Sequence, residues 1–222
     1  MRRRAVLGGL LAAPVAARAQ APAPDRPAAR RRANDFWFDP TQLPAFTGIV
    51  ERYLINPRGE TEALLFREGP QVVFPPEFGQ VVRDAVPPGR PIVVWGIRAR
   101  QAPVITMLAF APNGDVAPVA AERFYWRLPG DGAADQAERL EVEGVVKAPY
   151  FTPQGDIAGA VLEDGTVVSL PAGTSDGFRD LLRPGARLAA EGRGVAGEQG
   201  RAVAAERIGE SRDALRPAQR KG

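Results

Sequence analysis

The 222-residue chain contains no histidine and no cysteine, which excludes disulfides, a thiolate nucleophile and thiolate metal sites and removes the commonest general base. An apolar fraction of 45% is enough for a packed core, while 24 Gly and 22 Pro point to many turns and short strands rather than a helical bundle. The formal charge of +3 resides in the first residues: residues 1–19 carry four arginines and no acid, so the remainder has a net charge of −1 and lacks the basic footprint of a nucleic-acid binder.

Arg2, Arg3 and Arg4 precede an apolar stretch over residues 5–16, and Ala17-Arg18-Ala19 follows with the small-x-small pattern of a signal-peptidase site. Residues 1–19 therefore read as an export signal, of twin-arginine or general secretory type, and imply a periplasmic location. The apolar stretch is too short to anchor in a bilayer. No cysteine follows it to carry a lipid. Residues 20–45, rich in Ala, Pro and Arg, read as a flexible leader. They contain Arg30-Arg31-Arg32 and the aromatic run Phe36-Trp37-Phe38.

From residue 46 the chain repeats itself at a constant offset of 96. Gly48 pairs with Gly144, Pro57 with Pro153, Gly59 with Gly155, and Gly69 with Gly165. The series continues through Pro75 and Pro171, Arg83-Asp84 and Arg179-Asp180, Pro88-Gly89 and Pro184-Gly185, and ends at Gly96 and Gly192. The matches fall mainly on Gly and Pro, where backbone geometry restricts the choice. A set of turns has been duplicated, and hence a fold.

Each copy predicts the same order of elements. A first strand covers 46–55 or 140–151, and a turn follows at 56–59 or 152–155. A second strand covers 62–66 or 158–162, and Gly69 or Gly165 turns the chain into a third strand at 71–74 or 167–170. Alternation places Leu64, Phe66, Val72 and Phe74 toward the core. Helical spacing then appears in Phe78, Val81, Val82 and Ala85, and in Phe178, Leu181 and Leu182. A fourth strand at 92–95 or 188–191 ends on Gly96 or Gly192, and a fifth covers 104–110 or 201–208.

Three strands, a short helix and two strands resemble an OB-fold. The expectation is a mainly β protein with two tandem five-stranded OB-like Greek-key barrels, residues 46–111 and 140–209. Each has one short helix between strands 3 and 4. Residues 112–139 connect the barrels and 210–222 form a polar tail. The run Gly48-Ile49-Val50, Leu54-Ile55-Asn56-Pro57-Arg58-Gly59-Glu60 and Val72-Val73-Phe74-Pro75-Pro76 also resembles small exported bacterial proteins of OB type. That resemblance implies fold and location, but no activity.

OB barrels bind ligands on the outer face of strands 2 and 3 and the adjoining loops. Here that face presents Ala63, Leu65, Gln71 and Val73 in the first copy, and Gly159, Val161, Val167 and Ser169 in the second. Neither set holds an aromatic or a cation for a nucleic-acid strand. Both are apolar enough to require a cover, from the other barrel, the connector or a partner. Leu65 and Val73 are accordingly contact candidates. So is Trp95, which aligns with Glu191 and so belongs on a surface rather than in a deep core.

The connector adds Phe124-Tyr125-Trp126 between Arg123 and Arg127, a run suited to stacking on bases or sugars or to packing in a barrel groove. Acids beside glycine in turns, such as Glu60 and Asp156, serve turn geometry. No phosphate-binding glycine loop, dinucleotide fingerprint or nucleophile elbow is present. The expected function is therefore non-enzymatic: a binding protein for a small ligand or periplasmic protein, with no cofactor, metal or membrane span. Its alternative is an oligonucleotide or oligosaccharide binder using the aromatic connector.

Overall fold

A computed structural model describes residues 38–121 and 137–219. Both stretches belong to one compact unit. The signal-like segment, most of the leader, and Arg123, Phe124, Tyr125, Trp126 and Arg127 lie outside the described residues.

The first copy folds as β1 (Ala45–Ile55), β2 (Thr61–Phe66), β3 (Gln71–Val73), α1 (Pro76–Ala85), β4 (Pro91–Arg98) and β5 (Val104–Ala111). A two-residue strand, β6 (Val119–Ala120), follows. The second copy folds as β7 (Glu138–Phe151), β8 (Ile157–Leu162), β9 (Val167–Ser169), β10 (Arg187–Gly197) and β11 (Gly200–Gly209), with β12 (Arg216–Pro217) at its end. In the first copy β1 pairs with β2 and β4, β2 with β3, and β4 with β5, all antiparallel. A parallel pairing of β3 with β5 closes the ring. The second copy closes in the same way, β9 running parallel to β11. This is the closed Greek-key order of an OB barrel.

The offset of 96 survives as strand register. Tyr53 faces Leu64 as Pro149 faces Ala160, and Gly48 faces Ile92 as Gly144 faces Leu188. Beyond the β4–β5 hairpin the offset becomes 98: Val104 lies beside Gln71, while Ala202 lies beside Val167. The second hairpin is two residues longer.

Two sequence expectations are corrected. Strand 4 does not end at its glycine but continues through Gly96 to Arg98, and through Gly192 to Gly197. The register shifts at both glycines, as in a β-bulge. The partner strand crosses so closely that a Cβ on Gly96 would lie 2.0 Å from the Thr106 carbonyl oxygen, and one on Gly192 1.9 Å from that of Ala204.

The second copy also lacks the expected helix. α1 has its counterpart in a single 3-10 turn, Ser175–Phe178. Gly173 takes φ +74°, and Ser175, Asp176 and Gly177 stand where the first copy has Gly79, Gln80 and Val81; these residues favour turns over a helix. Phe178, Leu181 and Leu182 are nonetheless buried in the second core.

Each barrel has its own core. Leu64, Phe66, Val72 and Phe74 point into the first, with Phe78 and Val82 from α1. Phe78 meets Phe110 edge-on at 5.4 Å. Among the described residues no helix is long and apolar enough to cross a membrane.

Candidate functional site

A third apolar cluster lies between the barrels, built from the outer faces of strands 1, 2, 3 and 5 of both. Leu54, Ile55, Ala63, Leu65, Val73 and Val104 come from the first barrel; Tyr150, Phe151, Val161, Val167 and Ala202 from the second. Counterparts at the repeat offset belong to the same cluster, Leu54 with Tyr150, Ile55 with Phe151, and Leu65 with Val161, and contacts are mirrored, Gly59 lying beside Val195 as Gly155 lies beside Ala99. Glu51 and its own counterpart Lys147 join in an ion pair of 2.6 Å. A residue meets its own equivalent where a two-fold axis passes, so the two barrels associate as a pseudo-homodimer within one chain.

Polar groups within this interface are matched. The Gln71 side-chain amide donates to the Phe151 carbonyl at 3.1 Å and accepts from the Phe151 amide at 3.0 Å, in the manner of a strand pairing. The buried Glu62 carboxylate accepts from the Tyr150 hydroxyl and, at 2.8 Å, from Asn56 Nδ2. Burial first, and the adjacent carboxylate second, push the Tyr150 phenol well above its ordinary pKa. Thr106 Oγ1 donates to the Pro153 carbonyl at 3.3 Å. No buried side-chain nitrogen or oxygen lacks a partner among the described residues.

The usual OB ligand face is thus occupied by the other barrel. Its flanking loops are engaged as well: the β7–β8 turn at Gly155 sits against Ala99, Ala102 and Val104, and the β1–β2 turn at Gly59 beside Val195.

Beside this interface runs an open groove of about 490 Å³, lined by Arg52 and Tyr53 of β1, Arg83 of α1, Asp164, Glu198 and Arg201. Arg83 is fixed from below. Its Cζ lies 5.0 Å from the Tyr53 ring centroid, and Nη1 donates to Thr61 Oγ1 at 3.1 Å. The Tyr53 hydroxyl is itself tied to the end of α1, 2.5 Å from the Val86 carbonyl oxygen. Burial raises the pKa of this phenol and Arg83 opposes the rise.

Arg52 donates from Nη1 to the Glu163 carbonyl at 3.2 Å and from Nη2 to Glu51 at 3.3 Å. Partial burial works against the charge of Glu51, but Lys147 and Arg52 outweigh it and hold its carboxyl below the ordinary value. Asp164 is occupied by the amide and hydroxyl of Thr166.

Among the contact candidates, Leu65 is 2% and Val73 4% exposed, both in the cluster between the barrels. Trp95 is half-buried on β4, opposite Ala45 and Ala109, on the side of the strand shared with Val93 and with Ile97, which is 58% exposed. Its counterpart Glu191 bonds Arg139 Nε at 2.8 Å and Arg207 Nη1 at 3.1 Å. The same outer position is apolar in one barrel and ionic in the other.

Trp95 does not line the groove, and the groove residues carried no sequence motif. The one available signal was a departure from the repeat, with Glu51 set against Lys147 and Gln80 against Asp176. Among the described residues no group of three or more His, Cys, Asp or Glu side chains could hold a metal ion. No protein-family model matches the sequence, and no curated protein matches it.

Proposed function

We propose that this chain is an exported, non-catalytic binding protein whose two OB-like barrels form one rigid frame for a small polar ligand in the groove between them. One observation carries the reading: the barrels cover each other's customary ligand face, while the groove beside it stays open and is lined by charged side chains. Ligand pockets of several hundred Å³ with a few fixed polar groups are the usual form of small-molecule sites.

The absence of His and Cys from the whole sequence supports a binding rather than a catalytic role. Export rests on residues 1–19 and on the resemblance to exported OB-type proteins. Mass spectrometry of the protein from its native host should find a mature chain beginning at Gln20; an intact Met1 in the cytoplasm would rule export out.

The ligand reading is tested by screening small polar metabolites against isotope-labelled protein. Binding should shift the amides of residues 51–53, 83, 164–166 and 196–201. Shifts confined to other surfaces would move the site elsewhere.

A further inference from the structure

The two copies provide an internal control for the groove. Several of the symmetry-related positions carry different residues. Where the groove has Arg52 and Tyr53 the second copy has Ala148 and Pro149, and where the groove has Arg201 the first copy has Pro103.

Arg83 does have a counterpart, Arg179, but the two differ in their neighbours. Arg179 is neutralised by Asp176, with bonds of 3.0 and 2.8 Å from Nε and Nη2. At the position of Asp176 the first copy has Gln80, which donates to Asp84 at 2.6 Å instead. Arg83 is thereby left with a neutral hydroxyl and an aromatic ring as its partners.

Two of the groove's three carboxylates are engaged away from Arg83 and Arg201. Glu51 is taken by Lys147 and Arg52, and Asp164 by Thr166. Glu198 is the remaining groove carboxylate and shares the lining with Arg83 and Arg201. A guanidinium has five donors; Arg83 spends one on Thr61. Its ring stacking and that bond hold the plane in place, which reduces the entropy lost when an anion binds.

We infer that the groove is an oxyanion site, taking a small ligand through a phosphate or carboxylate group held by Arg83 and Arg201. This deepens the proposed function and rests on the groove being the ligand site. Arg pairs bidentately with both kinds of oxyanion, and the experiment separates them.

Full-length mature protein is titrated at constant ionic strength with inorganic phosphate, with citrate, and with glucose as a neutral control, following amide and arginine Nε–H signals. Saturable shifts at groove residues are expected with a Kd below about 1 mM for at least one anion; the anion that binds more tightly identifies the group. Arg83→Gln and Arg201→Gln should each weaken binding by about tenfold or more, and Arg179→Gln should leave it unchanged. Arg201 lies exposed on a strand, so its variant tests the site even if Arg83→Gln disturbs α1.

Absence of saturable anion binding up to about 10 mM overturns the inference, as does binding that survives both groove substitutions. Groove shifts with glucose and none with either anion would overturn the oxyanion assignment while leaving the groove a ligand site. Silence from all three probes and from the metabolite screen would remove both.

Discussion

Tyr150 shows how one side chain joins the barrels. Its counterpart is Leu54, and both lie in the shared apolar cluster, but only Tyr150 carries a hydroxyl to reach the buried Glu62. Tyr150→Phe preserves the packing and leaves Glu62 with Asn56 as its remaining side-chain donor of those two. The variant should lose about 1.5–3 kcal/mol, the worth of a hydrogen bond to a charged group, read from urea denaturation. The same phenol makes stability depend on alkaline pH. Tyr150 and Tyr53 both have folded pKa values raised above 10.0. Above that value the unfolded chain gives up protons that the folded chain retains, so the unfolded state binds fewer and stability falls. Stability from this source is complete below about pH 10 and declines as pH rises beyond it. Urea midpoints between about pH 8 and 11 should show the decline, and Tyr150→Phe should flatten it; an unchanged slope would contradict the assignment. Nothing in the sequence marked Tyr150 or Glu62, because the pairing spans 88 residues and depends on how two barrels dock.

At the scale of elements, turn chemistry and alternation transmit well through sequence. Gly59, Gly69, Gly155 and Gly165 all take positive φ, which is why they recur at a fixed offset. Leu64 and Phe66 point inward while Ala63 and Leu65 point outward, because side chains on a pleated strand alternate. The two misread elements have different causes. A glycine in a strand and a glycine that ends it look alike until the neighbouring strand is known, as at Gly192. In the second copy, Phe178, Leu181 and Leu182 keep a helical spacing although the backbone is not a helix, because three buried side chains suffice to plug that end of the barrel. Gly192→Ala would place a Cβ 1.9 Å from the Ala204 carbonyl oxygen. Strands β10 and β11 must then separate, at a cost of about 1–3 kcal/mol. Ala on Gly197 meets nothing within 4 Å and should be tolerated far better; equal thermal shifts for the two variants would argue against the close crossing.

For the molecule as a whole, the duplicated fold was legible in the repeat, whereas the pseudo-dimer was visible only as an apolar face in need of a cover, with the other barrel, the connector and a partner all open. Pairing of the two faces makes the barrels energetically dependent on each other. Leu65→Ala should cost about 2–5 kcal/mol, and hydrogen exchange should show lost protection in β8 and β9 as well as in β2 and β3. Loss confined to the first barrel would mean that the barrels unfold independently. The same burial bears on nucleic acid. An OB barrel stacks bases on the outer face of strands 2 and 3, but here Leu65, Val73, Val161 and Val167 fill that face against the opposite barrel. Electrostatics supply no substitute, since the chain beyond residue 19 carries a net charge of −1 and affinity for phosphates falls steeply with salt. The arginines beside the interface line a groove of about 490 Å³, the scale of a small molecule rather than a strand. The protein should therefore show no submicromolar binding to a labelled single-stranded oligonucleotide in fluorescence anisotropy at roughly 150 mM salt. Tight binding abolished by Trp126→Ala would transfer the working surface to the aromatic connector. Tight binding abolished by Leu65→Ala would mean that the barrels part to expose their strand faces.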